Sequence, residues 1–586
     1  MRATNFIFLV WLFYVTQIHG YTNRGYSNRG YSNRGYSNHG FTNHRSAFKK
    51  VMTTDGVVLG KLLTTHKNTE FHAFQDIPYA QPPIGTLRFK EPLPALPWNG
   101  VLNTKESSKI CHQFNLNYAD PRENEDCLVL NVYSTAVKDH RNDELLPVLV
   151  WIHGGGFTVR SGAIDAYGPH YFIDKKLVVV TINYRLGPLG FLSTGDGVMP
   201  KNLGLKDQNL ALKWVQKNIA RFGGDPSKVT LSGHESGAAS VGYHILNKKS
   251  QGLFRAAILQ SGSPLSCWAV HKNPKKVAQY LANALSSTNQ RNLTSQEILH
   301  IFKTADIEQL KRVVLKFQGD RNSLPDLANC HQMDSYPMTA VKEEENDENA
   351  IVTGMNYEKL KNGDINKVPI LIGFTSEEML FFKVPKLLLQ TNLIDLNESL
   401  AITANMNMKD KNRRDAGHEL KNLYTNSFAT SPSGSISFLS DCLLNIPIAR
   451  YAFLQSQYTD VYFYQFSYLG TLGRYQYQEG ISGVGNREEL GYFWHNATAD
   501  NLDQFPKGDI VTHERVMDLW SQFIKYLNPT AYNSQVLGDF KWPKVAEENF
   551  LYLDINSNLS VKRGPKKFTD WNRIYSKYTT EKLDTY

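Results

Sequence analysis

The sequence predicts an α/β architecture, a large twisted sheet of mostly parallel strands with helices on both faces. Three observations predict it. Short aliphatic runs such as LPVLVWI and LVVVTINY have strand length without polar alternation, as strands covered on both faces require. Between them lie segments with apolar residues at helical spacing. Gly and Pro punctuate the junctions. The chain has 586 residues, 41% of them hydrophobic and 20% charged. That balance excludes wholesale disorder and collagen-like structure.

The segments are justified in chain order. Residues 1–20, MRATNFIFLVWLFYVTQIHG, place a short basic start at Arg2 before an apolar run from Phe6 to Val15. The stretch ends in a small residue, Gly20, and reads as a secretory signal peptide. A membrane anchor would need about 20 apolar residues, more than this run offers. No later stretch is long and apolar enough to span a bilayer, and the C-terminal YTTEKLDTY is polar, so no transmembrane segment is expected.

Residues 21–45 repeat a five-residue unit, YTNRG-YSNRG-YSNRG-YSNHG-FTNHR. The unit has no aliphatic residue with which to build a core, so 21–50 is expected to be a disordered basic arm. Interleaved Tyr and Arg suit acidic glycans, but four arginines bind little at physiological salt, and the reading favoured is a solvated tether. The whole chain carries a formal charge of +9, and residues 1–50 hold seven basic side chains and no acid. The rest of the chain therefore carries only +2, which argues against a nucleic-acid partner. Sequons at Asn292, Asn397, Asn496 and Asn558 are candidate glycan sites on a secreted protein.

Residues 51–586 are expected to form one α/β body. Leu146–Ile152, Leu177–Tyr184, Val229–Gly233, Ala256–Gln260 and Val368–Gly373 read as strands. Lys206–Phe222 places Ala211, Val215, Ile219 and Phe222 at helical spacing, and Gly223-Gly224 ends it. A series of long motifs then appears: IPYAQPPIGTLRF at 77–89, EDCLVLNVY at 125–133, WIHGGGF at 151–157 and NYRLGPLGF at 183–191. NLGLKDQNLALKWVQKNIARFGGDPSKVTL at 202–231 and LQSGSP at 259–264 follow. On these motifs the chain resembles the type-B carboxylesterases, the cholinesterase-like branch of the α/β-hydrolases, over most of 51–575. The resemblance implies the α/β-hydrolase fold and an acyl-transfer site. In such a site a Ser on a strained strand–helix turn attacks an ester, a His takes its proton, and an acid orients the His.

The residues at those positions depart from the pattern. The turn reads Gly233-His234-Glu235-Ser236-Gly237, and the flanks VTL and GAAS leave no gap. Glu235 therefore stands at the nucleophile position. Ser236 stands at the next, whose main-chain N–H joins those of Gly155 and Gly156 in the oxyanion hole that the resemblance implies. At the base position, in GVGNREELGY, stands Asn486, which cannot take up a proton near neutral pH. Glu378, in IGFTSEEM, keeps the acid position, with Met379 where Gly is usual and Glu377 as the fallback by register. His234 is a remote replacement base, and His495 is expected on the surface.

A carboxylate attacking an ester would form an anhydride, and the expelled alkoxide would attack it and return the ester. Glu235 would instead lie at a helix N-terminus among N–H donors, where an anion is favoured. Its carboxylate is expected to occupy the oxyanion hole. Losing nucleophile and base together costs on the order of 10⁶ in turnover in comparable triads. The expectation is a secreted carboxylesterase-like protein that has lost ester hydrolysis and binds a protein, extracellular matrix or an apolar ligand. The alternative is an active ester hydrolase with rearranged residues, using Ser236 or Glu235.

Five cysteines complete the reading. The resemblance implies a bridge between Cys111 and Cys127, consistent with an oxidising route. Cys267 matches half of a second family bridge whose usual partner is absent, which leaves Cys267, Cys330 and Cys442 without a scheme. No Cys/His cluster has metal-site spacing and no phosphate-binding loop is present, so no metal and no cofactor are expected.

Overall fold

Alternate residues of Leu146–Ile152 bury themselves in opposite apolar layers. In a computed structural model of the chain, Val148, Val150 and Ile152 join one hydrophobic cluster and Leu149 and Trp151 join the other. A strand has a side-chain period of two, so burial of both parities means that helices cover both faces. The structure describes residues 47–586 apart from 115–119, 138–143, 287–291, 320–337, 382–408, 425–431, 474–481, 496–501 and 581. The expected signal peptide, residues 21–46 of the expected arm, Cys330 and the sequons at Asn397 and Asn496 lie outside the described residues.

The strands are β1 (Phe48–Met52), β2 (Val57–Thr64), β3 (Glu70–Pro78), β4 (Val101–Asn103), β5 (Val129–Ser134), β6 (Leu146–Ile152) and β7 (Val178–Ile182). They continue with β8 (Gly224–His234), β9 (Ala256–Gln260), β10 (Ile370–Thr375), β11 (Val461–Phe466), β12 (Leu551–Ile555) and β13 (Leu559–Arg563). All thirteen join one sheet in the order β1-β2-β3-β5-β7-β6-β8-β9-β10-β11-β12-β13, with β4 on β2. From β7 through to β12 every neighbouring pair is parallel. The outer strands on both sides pair antiparallel, apart from β4, which lies parallel to β2.

The helices used below are α1 (Leu203–Asn218), α2 (Ser236–Leu246), α3 (Pro274–Leu285), α4 (Ser295–Thr304), α5 (Ile307–Gly319) and α6 (Lys507–Tyr526). α1 and α2 pack in the first cluster, with Leu212, Val215 and Val241 fully buried. α6 covers the opposite face with Val516, Leu519, Trp520 and Phe523.

The expected strands Leu146–Ile152 and Ala256–Gln260 form with those bounds, and Leu177–Tyr184 is trimmed to Val178–Ile182. The helix expected at Lys206 starts earlier, at Leu203, because Leu203 and Leu205 are also buried. It passes into a 3₁₀ turn at Ile219–Phe222 and stops at Gly223, whose φ of 83° suits a residue without Cβ. The strand expected at Val229 begins at Gly224. Its first half, GDPSK, reads as a turn by composition, yet Gly224 pairs with Leu146 ahead of an irregularity in register.

The NYRLG motif has a structural task. Arg185 grips Asp207 of α1 through Nε and Nη2, at 2.8 and 2.7 Å, and Nη1 donates to the Lys90 carbonyl at 2.7 Å. Both partners of this two-pronged pair are buried, at 3% and 0% exposure. It fixes α1 against the loop that leaves β7.

Candidate active site at the strand–helix elbow

The sequence-predicted site residues follow the carboxyl ends of parallel strands. Gly155 and Gly156 come after β6, Glu235 and Ser236 after β8, and Glu378 after β10. That edge is where open α/β sheets bind ligands.

Between β8 and α2 the chain reverses over a single residue. Glu235 takes φ 53° and ψ −115°, a strained conformation for a residue with a side chain. Close backbone approaches hold the bend. A Cβ on Gly237 would lie 2.2 Å from the Ile152 carbonyl, and one on Gly262 would lie 2.2 Å from the Glu235 carbonyl. The Glu235 N–H donates to the Gln260 carbonyl at 2.8 Å, and its own carbonyl accepts from Ala239 in the first turn of α2. Glu235 is therefore pinned at its backbone with its side chain projecting beyond the sheet edge.

That side chain turns onto the glycine loop. Glu235 Oε2 accepts from the N–H of Gly155 at 2.7 Å and of Gly156 at 2.9 Å. The Ser236 hydroxyl donates to the same oxygen at 3.1 Å, and Ser236 Oγ accepts from the Phe157 N–H at 3.3 Å. Glu235 is 5% exposed. The carboxylate thus sits where two amide dipoles converge on a negative charge. His153 steadies the loop. Its ring stacks on Tyr184 with centroids 4.5 Å apart, and Nδ1 donates to the Gly154 carbonyl at 2.8 Å. Burial lowers His153 to about 3, so the ring is neutral and cannot serve as a cation here.

The acid position and the amide are joined directly. Asn486 Nδ2 donates to Glu378 Oε2 at 2.6 Å, and the Asn486 N–H donates to the Glu378 carbonyl at 3.1 Å. Glu378 Oε1 accepts from the Thr375 N–H at 2.8 Å. Burial raises Glu378, and the hydrogen bonds from Thr375 and Asn486 oppose the rise. Glu377, the fallback, points elsewhere: it accepts from the Ser437 hydroxyl at 3.0 Å. Glu378 is the acid that meets Asn486.

Sequence reasoning missed one pair. His234 Nε2 lies 3.6 Å from Glu489 Oε1, both side chains at about 1% exposure or less. Burial lowers His234 well below its usual value, and charges on Arg160 and Arg487 add to this. Burial, with Glu378 next, raises Glu489 well above the carboxylate range. The available signal was the doublet Glu488-Glu489, placed just after Asn486 where the resemblance expects acids. His495, expected on the surface, is half-buried with its ring 4.2 Å from His170.

The Cys111–Cys127 bridge is formed, across Cα atoms 4.9 Å apart. Cys267 and Cys442 are buried and not disulfide-bonded to each other. Asn292 and Asn558 are exposed. Among the described residues no group of His, Cys, Asp and Glu is arranged to hold a metal ion. No helix of the described residues is long and apolar enough to cross a membrane.

Comparison with known proteins agrees with the fold. A sequence model described as the carboxylesterase family matches residues 47–570. A juvenile hormone esterase of Tribolium castaneum is 31% identical over 540 residues, covering 86% of this chain and 89% of that protein. Esterase FE4 of Myzus persicae is 31% identical, covering 83% and 86%. Among solved structures, the juvenile hormone esterase of Manduca sexta, with OTFP covalently attached, superposes with a TM-score of 0.74 at 27% identity. That alignment covers 90% of this chain and all of the other.

Proposed function

From the premise that the chain belongs to the carboxylesterase family, we propose that it is a secreted member without ester hydrolysis, acting by binding. The observation that carries this reading is Glu235 Oε2 on the Gly155 and Gly156 N–H groups. In an acyl-transfer site those donors stabilise the oxyanion that forms on the substrate. Here the protein's own carboxylate takes the place of that oxyanion, and a substrate carbonyl entering would have to expel it.

The rest of the triad supports the same reading. Asn486 holds the hydrogen bond to Glu378 that an imidazole would make, and it has no basic atom to relay a proton. One contact favours the alternative of a rearranged hydrolase: the Ser236 hydroxyl donates to the Glu235 carboxylate, a nucleophile beside a base. The same oxygen is the one occupying the two N–H groups. Glu235 cannot act as base from there while leaving the donors open to substrate.

The ligand class is a protein, a matrix component or an apolar small molecule. Two relatives named for juvenile hormone make that hormone the first small molecule to test by equilibrium binding. Secretion rests on the signal peptide and agrees with the Cys111–Cys127 bridge. Protein recovered from culture medium should begin at Tyr21.

The deciding assay is turnover of short-chain aryl esters with stoichiometric labelling by a serine-directed organophosphate. Neither is expected. Robust turnover or labelling overturns the reading, and its loss in Ser236→Ala would then assign the activity to Ser236.

A further inference from the structure

We propose that the paired helices α3 and α5 form a docking surface for a sulfated polysaccharide, separate from the elbow. The first observation is where the charge lies. Residues 271–319 contain eight Lys and Arg against three Asp and Glu, a net +5. The whole of 51–586 nets only +2, so the body outside this segment is net negative.

The second observation is how the fold arranges that excess. The Gln309 amide near the start of α5 donates to the Leu285 carbonyl at the end of α3, at 3.4 Å. At the other end the rings of Tyr280 and Phe317 meet at 5.0 Å. The two helices therefore run antiparallel. Their buried stripes, Val277, Ala278, Leu281 and Leu285 on α3 and Leu310, Val314 and Phe317 on α5, face the core. The opposite faces carry Lys275 and Lys276 on α3 and Arg312 and Lys316 on α5, all exposed. Lys276 is one turn from Tyr280 and Lys316 precedes Phe317, so the ring contact sets Lys276 and Lys316 on neighbouring turns of the paired helices.

The third observation is that the acids of the segment are engaged. Glu297 closes the N-terminal cap of α4 with Thr294, Asp306 accepts from the Gln309 N–H, and Glu308 pairs with Lys311. Among the described residues, Lys275, Lys276, Arg312 and Lys316 make no ion pair. Four exposed cations held in place on two packed helices, unlike the four arginines of an arm expected to be disordered, with the helix-start N–H groups of α3 beside two of them, give a local positive potential that draws a polyanion.

The chemistry of the face selects among polyanions. An anionic membrane would call for apolar side chains to insert, and the exposed large hydrophobic residues are elsewhere, at Phe48, Met52, Leu96, Tyr526 and their like. The cations alternate with polar Gln279 and Asn283, and they follow two helices rather than lining a pocket. This suits a linear chain carrying repeated sulfate groups. The inference does not depend on whether the elbow turns over esters.

The test is heparin affinity of the full chain, arm included, measured as elution salt and as the slope of log K against log salt. The variant Lys275→Gln/Lys276→Gln/Arg312→Gln/Lys316→Gln should elute at clearly lower salt, with the slope reduced by about three for four lost contacts. Lys67→Gln/Lys90→Gln/Lys507→Gln/Lys541→Gln removes the same charge from other exposed sites and should leave the slope within one unit. Matching melting curves establish that both variants are folded. Equal shifts in the two variants, or no shift in the first, overturn the proposal. So does equal binding of desulfated heparin or of polyglutamate, because the surface would then read charge without sulfate.

Discussion

On the proposed reading, Glu235→Ser combined with Asn486→His should confer ester hydrolysis, because the donors and the acid it needs are already in place. Glu235→Ser would withdraw the carboxylate that sits 2.7 and 2.9 Å from the Gly155 and Gly156 N–H groups. Each freed donor is worth about 10²–10³ in turnover when aimed at a developing oxyanion. Asn486→His would place an imidazole where the amide nitrogen now meets Glu378 at 2.6 Å, so the acid that fixes its tautomer is already in position. Triad members act as a unit, and losing either nucleophile or base costs nearly as much as losing both. The double variant should therefore hydrolyse an aryl ester at least about 10⁴-fold faster than the native chain, while each single variant stays within about tenfold of background. The assay is kcat/KM for p-nitrophenyl acetate, with organophosphate labelling as the second readout. A native chain as fast as the double variant refutes the reasoning. So does a folded double variant that neither turns over nor labels, since the bend would then not aim its apex at a substrate.

Three further outcomes follow from the scaffold. Asp207→Ala leaves the buried Arg185 guanidinium uncompensated and should cost about 3–5 kcal/mol, read by urea denaturation. Cys111→Ser/Cys127→Ser opens a bridge with a sequence separation of 16 and should cost about 3 kcal/mol by chain entropy, read in the same way. Burial, with the Asp441 carboxylate next, pushes Glu377 up from 4.5 to about 7. Between those values the native state holds a proton that the unfolded chain has released. Stability should therefore fall as pH rises through that window and level off above it, and Glu377→Gln should flatten the slope.

The sequence made the elbow legible because rigid motifs bracket it. VTL is buried strand and GAAS is helix start, so no insertion can slide Glu235 away from the apex. Glu378 was harder, since Met379 replaces a Gly. What decides for it over Glu377 is a contact with Asn486, 108 residues along the chain. The His234–Glu489 pair was legible only as two separate residues, a His beside the apex and one of an acidic doublet, not as a contact. His234 ends β8 and Glu489 lies in the 3₁₀ turn Glu488–Tyr492 beyond β11, so only the tertiary fold brings them together. Strand starts failed where composition and pairing disagree, as in GDPSK, a turn by local preference that the sheet extends.

The same physics explains why glutamate, of the substitutions open at the apex, leaves a settled structure. An acyl-transfer site with an unoccupied oxyanion hole holds N–H donors that no protein group satisfies, and unsatisfied buried donors cost about 1–3 kcal/mol each. Two methylenes separate the Glu235 backbone from its carboxylate. The reach is enough for one oxygen to cross from the end of β8 to the loop after β6 and accept from two main-chain donors and the Ser236 hydroxyl. On the proposed reading, a glutamate at the nucleophile position therefore also satisfies donors that catalysis would keep open. On that reading, stability and turnover pull in opposite directions at this residue, because the strained bend holds a carboxylate on the two N–H groups that acyl transfer would need open.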